Sequence, residues 1–322
     1  MDNYLDKLRI EFESDLNSID LPQDPANLYE PIRYMLSLGG KRIRPILALV
    51  GCELFGKPYS HAMNQALAVE VFHNFTLVHD DIMDSAEVRR SLPTVHKKWD
   101  TNIALLSGDG MIVIAYQHLF LAPTDKLKKL SDVFSKTALE VCEGQQFDMD
   151  YASREDVSLS EYLEMIRLKT AVLLGGSMQL GAIMADASNE QLDQIQQFAE
   201  SMGLAFQIKD DYLDSFGDQK AFGKEIGGDI RERKRTWLTL KAFELLGDNK
   251  QRLLDAYSIT DIPRRVDAVT ALYNELGIKE HAENEIAKYS DFSLETLSKI
   301  SGEEDVKAKL SALVHYLIDR EN

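Results

Sequence analysis

The stretch LVHDDIMD at residues 77–84 and the stretch QIKDDYLD at residues 207–214 share the spacing Asp-Asp-x-x-Asp. Each ends a run in which apolar residues recur at helical spacing, so each predicts the C-terminal end of a helix. Residues four apart share a helix face, which places Asp80 over Asp84 and Asp210 over Asp214. Such like-charged pairs destabilise a helix unless a cation neutralises them, and carboxylate oxygens with water suit Mg²⁺. The stretches therefore predict two Mg²⁺-binding helix ends, which in a bundle would flank one cavity; solvated acidic helix ends are the alternative.

The rest of the chain carries the same helical periodicity, with almost no strand-like alternation. Apolar spacing, prolines and capping residues predict helices over 2–18, 27–38, 43–55, 61–84, 100–120, 125–150, 159–184, 189–215, 235–247, 250–258, 264–276, 278–298 and 303–319. The segments 85–99 and 216–234 break this periodicity and are predicted to be polar, basic loops. No Pro- or Ser-rich linker divides the chain, so we expect one all-α domain over residues 1–322.

Composition limits the classes of function. The 322 residues carry a formal net charge of -17, and 44% of them are hydrophobic. An acidic surface disfavours nucleic acid and anionic lipid as partners, because both attract clustered Lys and Arg. No apolar run reaches the ~20 residues of a membrane-spanning helix, and the N-terminus lacks the apolar centre of a secretion signal. With only 2 cysteines, we expect a cytoplasmic protein without a stable membrane anchor.

Basic residues gather at three places in this acidic chain. The segment GGKRIRP at residues 39–45 joins two predicted helices. Arg89 and Arg90 follow the first acidic stretch, and Lys224 and the cluster Arg231, Arg233, Lys234 and Arg235 follow the second. Arginine can fork onto phosphate oxygens and lysine supplies a point charge, so these loops predict a site for a small phosphate-bearing anion. Solvated turns are the alternative for each cluster taken alone.

One histidine is a further candidate for this site. His73 lies seven residues before Asp80, close to the same helix face, from which it could donate a hydrogen bond to a phosphate oxygen. A core histidine with a backbone partner is the alternative.

The order of these motifs resembles one known family. GGKRIRP (39–45), the first Asp-Asp-x-x-Asp, Arg89-Arg90, PTVH (93–96), Lys169-Thr170, FQIKDDYLD (206–214) and a Gly-Lys…Gly-Gly-Asp…Lys loop (223–234) follow one another as in the trans-prenyl diphosphate synthases, which include the farnesyl and geranylgeranyl diphosphate synthases. The resemblance implies an all-α isoprenoid synthase-type helical bundle with a central cavity, usually a homodimer. It also implies a Mg²⁺-dependent prenyltransferase that joins isopentenyl diphosphate head to tail to allylic diphosphates.

The resemblance implies a role for individual residues as well. Mg²⁺ ions, three in each active site, would be held by Asp80, Asp84, Asp210 and Asp214, with Asp81 and Asp211 in support. The allylic diphosphate would be held by Arg89, Lys169 and Lys224. Isopentenyl diphosphate would be held by Lys41, Arg44, His73 and Arg90. Thr170 and Gln207 would lie near the reacting carbon, and Lys234 would help to close the site.

Product length is predicted from the helix that ends in the first acidic stretch. Phe75 and Thr76 precede Asp80 by five and four residues and lie about 6–8 Å deeper along the axis. In the family these positions often form the floor of the product pocket, and Phe at the first resembles the C20-forming type, with C15 next. An ordinary core aromatic is the alternative for Phe75. The chain departs from the family at Ser91, where glycine is usual, and at Lys209, where an apolar residue is common.

Other functions remain open on the sequence alone. A class I terpene cyclase would share the fold but would not need the second diphosphate site implied for Lys41, Arg44 and Arg90. A non-catalytic regulatory subunit would be expected to have eroded acidic motifs, whereas both are intact here. An unrelated helical binding module would not need the motifs in this order.

Overall fold

Helices make up nearly all the secondary structure of the computed structural model, which describes residues 3–217 and 227–319. The helices are α1 (Asn3–Asn17), α2 (Ala26–Ser37), α3 (Ile43–Leu54), α4 (Met63–Met83), α5 (Val95–Lys98), α6 (Thr101–Leu119), α7 (Leu127–Ala152), α8 (Leu159–Ile166), α9 (Val172–Met184), α10 (Asn189–Phe216), α11 (Gly228–Glu232), α12 (Trp237–Leu246), α13 (Gln251–Ser258), α14 (Ile262–Glu275), α15 (Ile278–Lys299) and α16 (Glu304–Ile318). Two strands, β1 (Val88–Arg89) and β2 (Leu92–Pro93), form a hairpin. The predicted all-α class is confirmed. Within the described ranges, no helix combines the length and the apolar character needed to span a bilayer.

The predicted helix map and the structure differ most at three places. Segment 85–99 is not only loop, because it contains the β1–β2 hairpin and the four-residue α5. Segment 216–234 contains the short α11, while residues 218–226 lie outside the described residues. The helix predicted over 159–184 is interrupted by a π-helical turn at Arg167–Ala171. Elements of two to five residues are too short to leave a periodic pattern, which explains why the sequence did not indicate them.

Capping boxes begin two of the long helical segments. At the start of α8, the N–H of Glu161 donates to Ser158 Oγ at 3.2 Å and the N–H of Ser158 donates to Glu161 Oε2 at 2.8 Å. At the start of α10, Ser188 and Gln191 exchange the same two bonds at 3.2 and 2.8 Å. Each box satisfies backbone donors that a helix N-terminus leaves unpaired.

The chain forms two compact units. The first comprises Met1–Ser135, Gly176–Leu192 and Ser301–Val306, and its core includes the fully buried Phe12 of α1 and Leu47 of α3. The second comprises Lys136–Gly175, Asp193–Ile300 and Lys307–Asn322, and its core surrounds Trp237 and Tyr273. The expectation of one domain over residues 1–322 stays a prediction.

Two glycines bring α3 and α9 together backbone to backbone within the first unit. A Cβ on Gly51 would lie 2.3 Å from the carbonyl oxygen of Met178, and a Cβ on Gly181 would lie 1.7 Å from that of Ala48. No side chain fits in that space, so both positions need glycine. The contact fixes α3, and with it the loop that precedes α3.

Candidate active site

The first acidic stretch forms the end of α4. Asp80 is half-buried and Asp84 is exposed at the helix C-cap, where its N–H donates to the carbonyl of Asp80 at 2.8 Å. A helix C-terminus carries partial negative charge, which adds to the attraction of these carboxylates for a cation. Asp81 is only 1% exposed and accepts three bonds of 2.8–3.0 Å from Nε and Nη2 of Arg89. Asp80 and Asp84 therefore fit Mg²⁺, while Asp81 holds Arg89.

The carboxylates do not build a complete metal cage by themselves. In the part of the chain that the structure describes, no group of three or more His, Cys, Asp or Glu residues could hold a metal ion. Mg²⁺ commonly takes one or two carboxylates and completes its coordination with water and substrate phosphates. The donor set of each acidic stretch, taken by itself, fits that mode of binding, in which the substrate supplies part of the site.

Arg89 and Arg90 lie on the hairpin that follows α4. The two-residue loop between the strands, Arg90 and Ser91, has φ of 51° and 64°. Positive φ at both positions is the type I′ turn, whose twist matches that of the flanking strands. Glycine is favoured in this turn. Ser91, where the chain departs from the family, adopts a left-handed conformation that is unfavourable for a residue with a side chain. Thr94 closes the base of the hairpin by donating from Oγ1 to the carbonyl of Ala86 at 2.7 Å.

The glycine-rich loop before α3 brings basic residues together in the first unit. Arg44 Nη1 lies 3.4 Å from His73 Nε2. The Arg90 guanidinium packs on Gly40, where a Cβ would lie 2.8 Å from Arg90 Nη2. Burial, followed by the charges of Arg44 and Arg90, lowers the pKa of His73 well below its usual value, so this histidine is neutral at pH 7. Of the residues expected to hold isopentenyl diphosphate, Arg44, His73 and Arg90 thus lie close together, and Lys41 is exposed on the same loop.

The second acidic stretch forms the end of α10 in the second unit. Asp211 is 4% exposed, and its Oδ2 accepts from the Tyr162 hydroxyl at 2.6 Å and from the backbone N–H of Trp237 at 3.0 Å. Gln207, half-buried, donates to Asp211 Oδ1 at 3.4 Å. Burial raises the pKa of Asp211 to about 7, although these hydrogen bonds oppose the rise. Asp210 next to it is only half-buried. Asp211 therefore joins α8, α10 and α12.

The side chain of Asp214, the last residue of this stretch, also accepts a hydrogen bond from the backbone. Its Oδ2 accepts from the N–H of Asp229 at 2.9 Å, at the start of α11. Burial, and next the charge of Asp214, raises the pKa of Asp229 to about 6. Lys234 Nζ lies 3.7 Å from Asp229 and 2.8 Å from Glu232. The metal role of Asp214 and the site-closing role of Lys234 stay predictions, and Lys224 lies outside the described residues.

Lys169 and Thr170 lie in the π-helical turn between α8 and α9. Lys169 Nζ donates to Asp148 Oδ2 at 2.5 Å, and Thr170 is half-buried. A Cβ on Gly144 would lie 2.2 Å from the backbone N of Lys169, so α7 touches the π turn directly. Such turns occur frequently at functional sites, and this one coincides with two residues implied to contact substrate.

Sequence reasoning missed three residues that support these groups: Asp148, Tyr162 and Asp229. Asp148 and Tyr162 stand 21 and 49 positions away from their partners, and no local pattern marks them. Asp229 did carry a signal, because it ends the Gly-Gly-Asp motif at residues 227–229.

The helical fold and these motifs define one class of protein. The polyprenyl synthetase family model matches residues 25–276, and the chain belongs to that family. The family predicted from the sequence is therefore confirmed.

Several relatives and solved structures that resemble the chain carry the names of prenyl diphosphate synthases. The chain is 35% identical to the geranylgeranyl diphosphate synthase of Sulfolobus acidocaldarius, over 99% of this chain and 98% of the relative. It is 36% identical to the geranylfarnesyl diphosphate synthase of Natronomonas pharaonis, over 73% of this chain and 74% of the relative. A crystal structure of a geranylgeranyl pyrophosphate synthase is 44% identical, with a TM-score of 0.94 over 99% of both chains. The geranylgeranyl pyrophosphate synthase from Corynebacterium glutamicum, complexed with isoprenyl diphosphate and magnesium, is 26% identical, with a TM-score of 0.85 over 98% of both chains. The comparisons support a prenyltransferase and none of the alternatives left open by the sequence.

Proposed function

We propose that this chain is a short-chain trans-prenyl diphosphate synthase that condenses isopentenyl diphosphate head to tail with allylic diphosphates. We propose geranylgeranyl diphosphate (C20) as its main product, with farnesyl diphosphate (C15) as the second candidate. The observation that carries the proposal is the arrangement along α4, where Asp80 and Asp84 end the helix and His73, about two turns earlier, meets Arg44. The Sulfolobus relative is named a geranylgeranyl diphosphate synthase and both structures a geranylgeranyl pyrophosphate synthase, which supports the C20 product.

Isopentenyl diphosphate is held in this proposal by Lys41, Arg44, His73 and Arg90. Guanidinium groups fork onto phosphate oxygens, while the exposed Lys41 adds a point charge. The neutral His73 has one ring N–H, which can donate to a phosphate oxygen without adding positive charge. The site thus holds the diphosphate while leaving the double bond of the substrate to react.

The allylic diphosphate is the leaving group, and Arg89, Lys169 and Lys224 hold its oxygens in this proposal. Asp80, Asp84, Asp210 and Asp214 would hold three Mg²⁺ ions, which would supply the positive charge that neutralises that diphosphate and assists its departure. The Corynebacterium structure, which holds magnesium with isoprenyl diphosphate, supports the choice of metal. As the allylic C–O bond breaks, the isopentenyl double bond forms the new C–C bond, and a proton passes to the released diphosphate. The Thr170 hydroxyl and the Gln207 amide oxygen stabilise the allylic cation.

Phe75 and Thr76 set the length of the product in this proposal. Phe75 is 8% exposed, and its ring centroid lies 5.5 Å from that of Phe72 and 4.7 Å from that of His79. Thr76 is half-buried, and its hydroxyl donates to the carbonyl of His73 at 2.8 Å. Contacts with the Phe72 and His79 rings hold the Phe75 ring in place, as a pocket floor requires.

We also propose a homodimer formed through α6. Leu106, Val113 and Phe120 recur every seven residues along this helix and its C-cap and are 61%, 59% and 49% exposed. An apolar seam of period seven can pack against a copy of itself around a two-fold axis. Light scattering after gel filtration should give twice the chain mass for the wild type and the monomer mass for Val113→Glu. Lys128→Glu on α7 is the control, and an unchanged mass for Val113→Glu would reject this interface.

The deciding experiment is elongation by the purified chain. The protein is incubated with Mg²⁺, isopentenyl diphosphate and each of the C5, C10 and C15 allylic diphosphates, and the products are identified by mass. We expect elongation that stops at C20. EDTA or the Asp80→Asn substitution should abolish it. The control Asp132→Asn, which changes an exposed carboxylate of α7, should retain it. A folded, metal-loaded sample that elongates no primer would reject the proposed function. The cytoplasmic location, the lack of a nucleic-acid partner and the lack of a stable membrane anchor stay predictions from composition.

A further inference from the structure

We propose that Arg42 is a positioning residue for the isopentenyl diphosphate site, an inference that rests on the proposed function. Arg42 stands between Lys41 and Arg44 but does not share their environment. It is 4% exposed, whereas Lys41 is exposed and Arg44 is half-buried beside His73. Arg42 therefore acts on the site through the loop that carries it and does not contact the substrate.

Each of the three Arg42 guanidinium nitrogens donates a hydrogen bond inside the first unit. Nε donates to Glu13 Oε1 at 3.1 Å, Nη1 to Glu70 Oε1 at 2.5 Å and Nη2 to the carbonyl of Leu36 at 3.0 Å. These acceptors belong to α1, α4 and α2, so one side chain joins three helices to the loop before α3. With all three nitrogens engaged, Arg42 has little capacity left for a phosphate group.

The partner carboxylate is itself fixed by the helix that carries the rest of the site. Glu70 is 2% exposed, and its Oε1 also accepts from Asn74 Nδ2 at 2.9 Å. Glu70 lies one turn before His73 on α4. The Arg42–Glu70 ion pair thus ties the loop that bears Lys41 and Arg44 to the helix that bears His73.

The backbone explains why the loop needs this support. Gly39, Gly40 and Arg42 have φ of 74°, 150° and 52°, and Arg42 is the N-cap of α3. A left-handed conformation is unfavourable for a residue with a side chain. The ion pairs with Glu70, which is buried, and Glu13, which is part-buried, hold Arg42 in it, and the resulting turn places Lys41 at the surface and Arg44 in the first turn of α3.

Substitutions of Arg42 test this role through the two Michaelis constants. Arg42→Gln should raise KM for isopentenyl diphosphate at least about tenfold and leave KM for the allylic primer within about twofold. Arg42→Lys, which keeps the charge but not the fork, should recover part of the loss. Arg33→Gln is the matched control, because Arg33 of α2 donates to the carbonyls of Leu21 and Pro22 at 2.7 and 2.6 Å and should leave both constants unchanged.

Loss of folding is separated from loss of positioning by a charge-balanced variant. Arg42→Gln alone leaves Glu70 as a buried carboxylate without its ion pair, so the double variant with Glu70→Gln is assayed as well, below the melting temperature of each protein. A selective rise in KM for isopentenyl diphosphate in the double variant supports the inference. Unchanged constants, or an equal rise for both substrates, would overturn it. Failure of the wild type to elongate any primer would instead reject the proposed function.

Discussion

Replacing Phe75 by alanine should lengthen the product by one isoprene unit, from C20 to C25. Five residues of α4 separate Phe75 from Asp80, about 7.5 Å along the axis at 1.5 Å per residue. The substitution removes the six ring carbons of a side chain that is only 8% exposed, which is room for roughly the five carbons of one more unit. Burying five further carbons contributes about 4 kcal/mol at ~0.8 kcal/mol each, so the longer chain should fill the vacated space readily.

The assay is the distribution of product masses from the C15 primer at saturating isopentenyl diphosphate. Phe12→Ala is the control, because it empties a fully buried site of α1 and carries a comparable loss of stability, about 3–5 kcal/mol. We expect C25 from Phe75→Ala and C20 from Phe12→Ala. A C20 product from both variants would refute the floor assignment, and a C25 product from both would show that loosened packing, not the floor, sets the length.

Three further predictions concern stability. Ser91→Gly should raise the free energy of unfolding by about 0.5–1 kcal/mol in urea titrations, because glycine accepts the positive φ of the hairpin loop; a loss of stability would argue against that turn. Tyr162→Phe should cost about 1.5–3 kcal/mol by removing the hydroxyl that donates to buried Asp211, whereas Tyr316→Phe at an exposed tyrosine should change little; equal effects would contradict the burial of this pair. The pKa of Asp211, about 7 folded against an ordinary 3.8, means that the folded chain keeps a proton that the unfolded chain releases. The stabilisation that comes from the proton on Asp211 is fully present below pH ~4 and is lost as the pH rises to ~7, by about 1.4 kcal/mol per pH unit. Asp211→Asn should reduce that slope in metal-free urea titrations, and a slope equal to that of the wild type would be the contrary result.

Long amphipathic helices were predictable because their pattern repeats over many turns. The helix predicted over 189–215 is α10, Asn189–Phe216, begun by the Ser188–Gln191 capping box. The hairpin after α4 was not predictable, because strands of two residues show no alternation. The π turn at Arg167–Ala171 was missed for a similar reason, since one wider turn hardly disturbs a long helical pattern.

The chemistry of the site was predictable by residue type, but the division of roles within it was not. Asp80 and Asp81 are adjacent residues of the same type, and only the fold of the hairpin brings Arg89 into contact with Asp81. Likewise, Arg42 and Arg44 stand in the same basic segment, and the left-handed backbone at Arg42 directs it to the interior. Which member of a charged cluster becomes buried depends on partners distant in sequence, such as Glu70, and a local motif does not contain that information.

The contact between α3 and α9 sets a limit on how this protein can be made more heat-resistant. Exchanging helical glycines for alanine is a common engineering step, because alanine favours the helix by about 1 kcal/mol. At Gly51 and Gly181 the added methyl group would collide with the carbonyls of Met178 and Ala48, and overpacking of this kind costs about 1–3 kcal/mol or more. The collision would push α3 and α9 apart, and because the first turn of α3 carries Arg44, the exchange would reduce both heat resistance and affinity for substrate. A thermostabilisation library for this chain should therefore leave positions 51 and 181 unchanged.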